Sequence, residues 1–502
     1  MEIEAAIVRR TDAGGYWLFR VSDVRRINWL RRARSKFRRT CGQTGFRQQS
    51  TLVEHDEPME LFDLAAALIT LAAVFSYINH RWLKLPTTIG LMVIALLFSL
   101  GLVLAGGRWP LLDRHAEQII GSIDFNETLM QGMLGMLLFA GAMHVDLGDL
   151  TRQKWAIGTL ATVGVLLSTA LIGLAAWGVF HLLGLPVRLI YCLLFGALIS
   201  PTDPIAVLAI LKQAATPKEL EIKITGESLF NDGVGVVIFL GLLEIATGEH
   251  GFDPLHLGAL FLQEAVGGAV FGLAIGYIAF RMLRSVDQYS VEILISLAVA
   301  SGGYALANSL HLSGPIAMVV AGLLIGNHGR QWAMSSTTCE HLDTFWELID
   351  EILNAVLFVL IGLELVIIKF NWSFLQAGLL MIPVVLLARL IAVGLPVKWL
   401  RRRHSLHPHA TSILTWGGLR GGISVALALS IPAVDQLGQS VTERSVLLAV
   451  TYIVVVFSVI VQGLTIGKFV RWRLGVQPVH ELPVPPFGAE ALTREAQQET
   501  GD

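Results

Sequence analysis

The stretch that decides the fold is Leu193-Leu-Phe-Gly-Ala-Leu-Ile-Ser-Pro-Thr-Asp-Pro-Ile-Ala-Val-Leu208. It is apolar except at its middle, where Pro201 and Pro204 flank a Thr-Asp pair. A proline in a helix lacks an N–H group and clashes with the carbonyl four residues earlier. Two prolines three residues apart therefore predict that about one turn of this helix is unwound.

The residues between the prolines favour a functional break over a simple kink. The carbonyls of Ala197 and Ser200 lose their helical donors and need another partner in hydrocarbon. Neighbouring helices can patch a simple kink, but a patched kink does not require Thr202 and Asp203. Because a carboxylate in hydrocarbon is costly, Asp203 marks a candidate functional position.

A second interrupted helix is predicted at Trp416-Gly-Gly-Leu-Arg-Gly-Gly422. Glycine weakens a helix, and a charge in the middle of a span is expensive. The helix ends freed at the two breaks carry partial charges that Asp203 and Arg420 can neutralise. For Arg420, both this compensating role and a direct role in transport are open. Interrupted helices at matching positions in two halves indicate inverted repeats with a site at the midplane.

A polar stripe lies on the sixth apolar segment. Glu227 and Asn231 are four residues apart, as are Ser228 and Asp232, so each pair shares a helix face. The rest of the segment is Val, Ile, Leu, Phe and Gly, so the stripe faces the bundle interior or a cavity. A buried packing network is the alternative interpretation.

The stripe suits a hard monovalent cation, which prefers oxygen ligands. Asp232, Ser228 and the backbone carbonyl near Thr202 supply such ligands. A carboxylate in a low-dielectric site holds a proton more readily than one in water. Asp232 can therefore bind either a proton or a cation, and this competition suffices for exchange if the site alternates between the two sides of the membrane.

Glu227 needs a countercharge. Arg389 lies in the middle of the eleventh apolar segment with no other charge near it in the sequence, and an unpaired buried arginine is hard to sustain. We predict a buried Glu227–Arg389 pair that holds the sixth helix in place, with Arg420 as the rival partner.

Composition places the whole chain in the membrane. Of its 502 residues, 54% are hydrophobic and only 15% are charged, against about 25% charged in soluble domains. This excludes a soluble enzyme, a disordered scaffold and a nucleic-acid binder. The predicted fold is an all-α polytopic membrane protein, with thirteen apolar segments centred on Ala67, Ala95, Leu137, Leu166, Leu198, Val237, Gly268, Leu297, Val319, Val359, Leu386, Ser424 and Val455.

The distribution of basic residues predicts the orientation. Alternate connections carry 17 Lys and Arg on one side and 5 on the other, so the positive-inside rule places the C-terminus in the cytoplasm. Thirteen spans then place the N-terminus outside. We predict an inner-membrane protein with a basic extension at 1–58, a membrane domain at 59–472 and a short polar tail at 473–502. The extension is either a real extracytoplasmic segment or precedes a true start at Met59.

Four motifs resemble those of NhaP and NHE-type sodium/proton exchangers. They are Ser200-Pro-Thr-Asp-Pro-Ile-Ala-Val207, Gly226-Glu-Ser-Leu-Phe-Asn-Asp232, Ala388-Arg389 and Gly417-Gly-Leu-Arg-Gly421. The resemblance covers residues 60–472. It implies a homodimer whose core domain moves like an elevator relative to a dimerisation domain. Many prokaryotic members carry an acid in the third span, where this chain has Phe139-Ala-Gly-Ala142.

The resemblance also implies roles for single residues. Asp232 corresponds to the essential carboxylate that binds cation or proton, with ligands from Ser228 and the Thr202 carbonyl. Asn231 in place of a second aspartate resembles the electroneutral branch. Glu227 and Arg389 correspond to the family's ion bridge.

The expected function is exchange of sodium, lithium or potassium for protons, with no cofactor and no catalytic residue. A potassium-selective antiporter of the same fold is the first alternative. A cation channel and a membrane enzyme are less favoured, because no repeated filter sequence is present and the carboxylates lie in the middle of spans.

Overall fold

The computed structural model describes residues 7–10, 16–19, 61–106, 133–203, 218–247, 254–366, 371–400, 408–433 and 441–475. The chain divides into two compact units, Met1–Pro58 and Met59–Asp502. Each unit is described by itself.

The first unit contains a two-stranded antiparallel ribbon, which the all-α prediction did not include. Strand β1 (Ile7–Arg10) pairs with β2 (Tyr16–Phe19), and Ile7 lies opposite Phe19. The local sequence explains the difference. β-Branched and aromatic residues favour strands, and the connecting segment contains Gly14-Gly15, a common hairpin signal.

In the second unit, the described residues are helical apart from short connections and the two breaks. In chain order the helices are α1 (Leu61–Ile78), α2 (Thr87–Gly106), α3 (Leu134–Met143), α4 (Lys154–Leu182), α5 (Leu189–Ile199), α6 (Lys218–Thr247), α7 (Pro254–Leu283), α8 (Tyr289–Ser309), α9 (Gly314–Leu324), α10 (Ser336–Leu363), α11 (Trp372–Leu400), α12 (Ala410–Trp416), α13 (Gly422–Leu429) and α14 (Thr442–Leu474).

All thirteen predicted centres lie on helices, the twelfth on α13 and the thirteenth on α14. Within the described ranges, seven helices are long and apolar enough to cross a membrane, and α3 and α5 are shorter apolar helices. The prediction of an all-α polytopic membrane protein is confirmed for this unit.

The outer faces of the long helices are apolar, as a lipid-facing surface requires. Large hydrophobic side chains are exposed on helices from both halves of the unit, among them Leu97, Leu166, Val270, Leu294 and Leu387. In water such a surface would be a liability, whereas in a bilayer it is the surface in contact with the lipid chains.

The breaks occur where they were predicted. Helix α5 ends at Ile199, and residues 417–421 separate α12 from α13. The Asp203 backbone N–H donates a 2.8 Å hydrogen bond to the Leu419 carbonyl, so the two extended stretches cross antiparallel to each other. Pro204 and the rest of the fifth predicted span, up to residue 217, lie outside the described residues.

Glycine brings the first half of the fifth span close to its neighbour α4. A Cβ atom on Gly196 would lie 2.3 Å from the backbone oxygen of Thr169. Only a residue without a side chain fits this contact, which fixes α5 and the break that follows it against α4.

Candidate functional site: a carboxylate cavity at the helix crossing

Arg420 satisfies the carbonyls freed at the first break. Its Nη1 donates to the carbonyl oxygens of Ser200 at 2.6 Å and Pro201 at 2.9 Å. The helical donor for Ser200 would be residue 204, which is proline and has no N–H. The buried Arg420 side chain thus lies at the negative end of α5, as the compensating role requires.

A chain of side-chain hydrogen bonds supports the second break. The Arg420 backbone N–H donates to Ser458 Oγ at 2.9 Å, and Ser458 Oγ donates to Gln462 Oε1 at 2.7 Å. Gln462 Nε2 in turn donates to the Trp416 carbonyl at 2.9 Å. The sequence analysis missed this pair on α14. Its signal was two polar residues four apart, on one face of an otherwise apolar helix.

Asp203 lies at the start of α13. A Cβ atom on Gly421 would be 2.7 Å from Asp203 Oδ2, so a glycine is required for this approach. Gly421 is the N-cap residue of α13, and the positive end of a helix favours a carboxylate. The two charges at the crossing thus complement opposite helix ends.

The polar stripe of α6 holds the unwound segment. Asn231 donates from Nδ2 to Thr202 Oγ1 at 2.8 Å and accepts at Oδ1 from the Thr202 backbone N–H at 3.3 Å. Ser228 Oγ lies 3.1 Å from the same threonine hydroxyl. Both functional groups of the Asn231 amide are engaged with Thr202, so in this state Asn231 positions Thr202.

Glu227 and Arg389 form an ion pair between α6 and α11. Arg389 Nη1 lies 2.6 Å from Glu227 Oε1, and both side chains are buried. The structure thus places Glu227 against Arg389 and not against its rival partner Arg420, which contacts the α5 carbonyls.

A second ion pair fixes the beginning of α6. Lys218 Nζ lies 2.9 Å from Asp149 Oδ2, on a short helix spanning Leu147–Arg152. The hydrogen bond from Lys218 lowers the pKa of Asp149 below its ordinary value. The pair is therefore present at neutral pH and is lost only as the pH falls through that lowered pKa.

Asp232 lines a cavity of about 80 Å³ beside the crossing, which is room for several water molecules. Its side chain is 6% exposed. Helices α3, α6, α10 and α13 and the first break contribute the walls, which are formed by Leu134, Leu137, Leu138, Gly141, Pro201, Asp203, Leu229, Asp232, Asn354, Leu357, Gly421, Gly422, Ile423 and Ser424.

The cavity brings together some predicted residues and not others. Asp232 and Asp203 line it, whereas Thr202, Ser228 and Asn231 form the adjoining hydrogen-bonded layer. Glu364 is buried on a short turn after α10 and does not line the cavity. Asn354 was missed, although it follows the acids at 347, 350 and 351 at helical spacing.

The fold and the site define a class, namely helical membrane transporters built around discontinuous helices. The sequence model described as "Sodium/hydrogen exchanger, transmembrane" matches residues 69–472. The chain therefore belongs to the sodium/hydrogen exchanger family, and it is a multi-pass membrane transporter, not an enzyme.

Individual relatives are similar over most of their length. The Na(+)/H(+) antiporter NhaP of Pseudomonas aeruginosa is 52% identical over 431 residues, which are 84% of this chain and 99% of the relative. NhaH of Halobacillus dabanensis is 35% identical over 84% of this chain and 99% of its own. The solved structure of MjNhaP1 from Methanocaldococcus jannaschii matches 83% of this chain and 99% of its own with a TM-score of 0.64, at 20% identity, which shows the fold.

Proposed function

We propose that this protein exchanges sodium for protons by alternating access, with the two ions competing for Asp232. The relatives described above are named Na(+)/H(+) antiporters, which supports this choice of ions. The observation that carries the proposal is the position of Asp232, whose carboxylate lines the cavity at the crossing of the two breaks.

The ligands we propose for the cation are oxygen atoms around this cavity. Asp232 supplies the charge, and the Ser228 hydroxyl and the Thr202 backbone carbonyl supply neutral oxygens, as hard cations prefer. Asn231 holds Thr202 through two hydrogen bonds, which fixes the position of that carbonyl. Its proposed contribution to ion binding is therefore through Thr202.

The charges support a one-for-one, electroneutral exchange. Glu227 is neutralised by Arg389, and Asp203 lies against the positive end of α13. Among the described cavity residues this leaves Asp232 as the carboxylate without such a compensating contact. One carboxylate that binds either one proton or one sodium ion gives equal charge on both half-cycles.

Lithium and potassium are served by the same oxygen ligands, so the proposal extends to them as competing substrates. We further propose that the protein is a homodimer in the inner membrane, as the resemblance implies, with its C-terminus in the cytoplasm. The partners are then monovalent cations, protons and the lipid bilayer, with no cofactor.

Proteoliposome exchange tests the proposal. Wild-type protein is expected to release protons when sodium is added. Once protons dominate the site, the half-saturating sodium concentration should rise about tenfold for each unit by which the pH falls, by mass action. Clamping the membrane potential at different values should leave the rate unchanged. Asp232→Asn should abolish exchange, because an amide cannot alternate between a proton and a cation.

The matched control is Asp287→Asn, the same chemical change on an exposed loop outside the cavity. Asp287→Asn should exchange at the wild-type rate. The wild type, Asp232→Asn and Asp287→Asn should all elute as folded protein in detergent. Exchange by Asp232→Asn at the wild-type rate would refute the proposed site. Fast sodium flux without proton coupling would instead indicate a channel, and a rate that depends on potential would refute electroneutrality.

A further inference from the structure

We propose that the side-chain oxygen of Asn354, on α10, is a further ligand of the transported cation and contributes to selectivity among monovalent cations. This inference rests on the proposed function and extends its site to a helix that the sequence analysis did not connect with binding.

The first observation is a buried oxygen without a hydrogen bond on a residue that lines the cavity. Asn354 is 3% exposed and lines the same cavity as Asp232 and Asp203. Its Oδ1 is buried and makes no hydrogen bond in the structure. A buried acceptor without a donor destabilises the folded protein, and a cation bound at this oxygen would remove that penalty.

The orientation of the amide follows from its other contact. Asn354 Nδ2 donates a 2.8 Å hydrogen bond to the Asp350 carbonyl, one turn earlier on α10. The flipped amide would place Oδ1 against that carbonyl, and two acceptors facing each other cannot form a hydrogen bond. The nitrogen therefore stays with the helix, and the oxygen is left as the free group.

The second observation is a gradient of burial along one face of α10. Glu347 is exposed, Asp350 is half-buried and Asn354 is buried, and these positions are three and four residues apart on one helix face. Of these three side chains, only Asn354 lines the cavity together with Asp203 and Asp232. Burial thus increases along this face of α10, and its innermost member, Asn354, is the one that lines the cavity.

A neutral oxygen at this point suits the proposed stoichiometry. A carboxamide binds a hard cation without a charge of its own, so it does not hold a second proton or cation. Asn354 strengthens cation binding relative to proton binding, because a bare proton is taken by the Asp232 carboxylate alone. The effect of removing it should therefore be specific to the cation.

Exchange kinetics in proteoliposomes provide the first test. Asn354→Leu should raise the half-saturating sodium concentration by about tenfold or more, with most of the maximal rate retained and the order of preference among lithium, sodium and potassium altered. Asn354→Ser, which restores a smaller oxygen, should lie between Asn354→Leu and wild type. The proton dependence of exchange at saturating sodium should be unchanged.

Thermal unfolding in detergent provides a readout that does not depend on transport. A ligand that binds the folded state raises the unfolding temperature as its concentration exceeds its Kd. Sodium added at alkaline pH should stabilise the wild type, and Asn354→Leu should require about tenfold more sodium for the same shift.

The control is Asn79→Leu. Asn79 is also a buried asparagine, but both ends of its amide are bonded to the Leu85 backbone, and it lies outside the cavity. Asn79→Leu should lower the unfolding temperature and leave the half-saturating sodium concentration unchanged. If Asn354→Leu behaves in the same way, or keeps the wild-type cation preference, Asn354 is not a ligand. Failure of the wild type to exchange sodium for protons would instead refute the proposed function.

Discussion

At the scale of single residues, the buried charges of this transporter differ in their contacts. Arg420 donates to carbonyls that a proline-containing segment leaves without helical donors, and Arg389 is paired with Glu227. An isolated charge in hydrocarbon is costly. The contact of Arg420 therefore holds the carbonyls in place, and the contact of Arg389 holds Glu227 in place. Asp232 lines the cavity and is the carboxylate to which the proposed function assigns the exchangeable ion.

We expect Glu227→Gln to destabilise the protein strongly, because it leaves Arg389 buried without its counterion. Removing one partner of a buried pair costs roughly 3–5 kcal/mol, whereas replacing both by apolar residues is often neutral. The double variant Glu227→Leu with Arg389→Met should therefore be more stable than the single variant. Unfolding temperature in detergent measures both effects.

The same variants separate support from transport. If the Glu227–Arg389 pair only holds α6 against α11, the folded double variant should keep the half-saturating sodium concentration of the wild type. A single variant as stable as the wild type would contradict the structural role of the pair.

Particular residues show how far the sequence could be read. Pro201, Pro204 and the glycines around Arg420 predict two breaks because the local chemistry of proline and glycine does not depend on neighbours. The contact of Glu227 with Arg389 follows from the cost of an unpaired charge. Ser458, Gln462 and Asn354 were not predicted, because a neutral polar residue in a helix has a meaning only once its neighbour on another helix is known.

At the scale of elements, the two breaks are built as one unit. The antiparallel contact between Asp203 and Leu419 needs close approach of two backbones, and glycines at 418 and 421 permit it. A Cβ atom on Gly421 would lie 2.8 Å from Asp203 Cβ, too close for two carbon atoms. The crossing therefore depends on glycines, which have no side chain, as well as on the polar side chains around it.

Gly421→Ala should separate the two stretches and lower both stability and transport. Overpacking of this kind costs about 1–3 kcal/mol, which thermal unfolding and the exchange rate should both register. Gly178→Ala, within α4, is the matched control, since its Cβ would have nothing within 4 Å. It should transport normally, and equal losses in the two variants would show that Gly421 has no special place at the crossing.

At the scale of the whole molecule, the arrangement of loops decides which end of the cavity faces which compartment. The uneven distribution of 17 and 5 basic residues predicts one orientation of the spans by the positive-inside rule. Antiport has one defined direction across the membrane only if that orientation is the same in every molecule.

Labelling with a membrane-impermeant maleimide should reveal this orientation. In a cysteine-free background, Leu182→Cys, at the C-terminal end of α4, should react in intact cells, whereas Trp472→Cys near the end of α14 should react only after permeabilisation. Both side chains are well exposed, at 82% and 70%, so access to the reagent is set by the compartment. The reverse pattern would place the C-terminus outside.

The contact between Arg420 and the Ser200 carbonyl has a consequence for biosynthesis. The two residues are 220 positions apart, and at roughly 5–20 residues per second a ribosome needs about 10–40 s to travel between them. During that interval the first break is already in the translocation machinery, and its carbonyls lack the guanidinium that later binds them. Water or the translocon must solvate them in the meantime. The crossing of the two breaks is therefore completed only after the nascent chain has delivered its twelfth span.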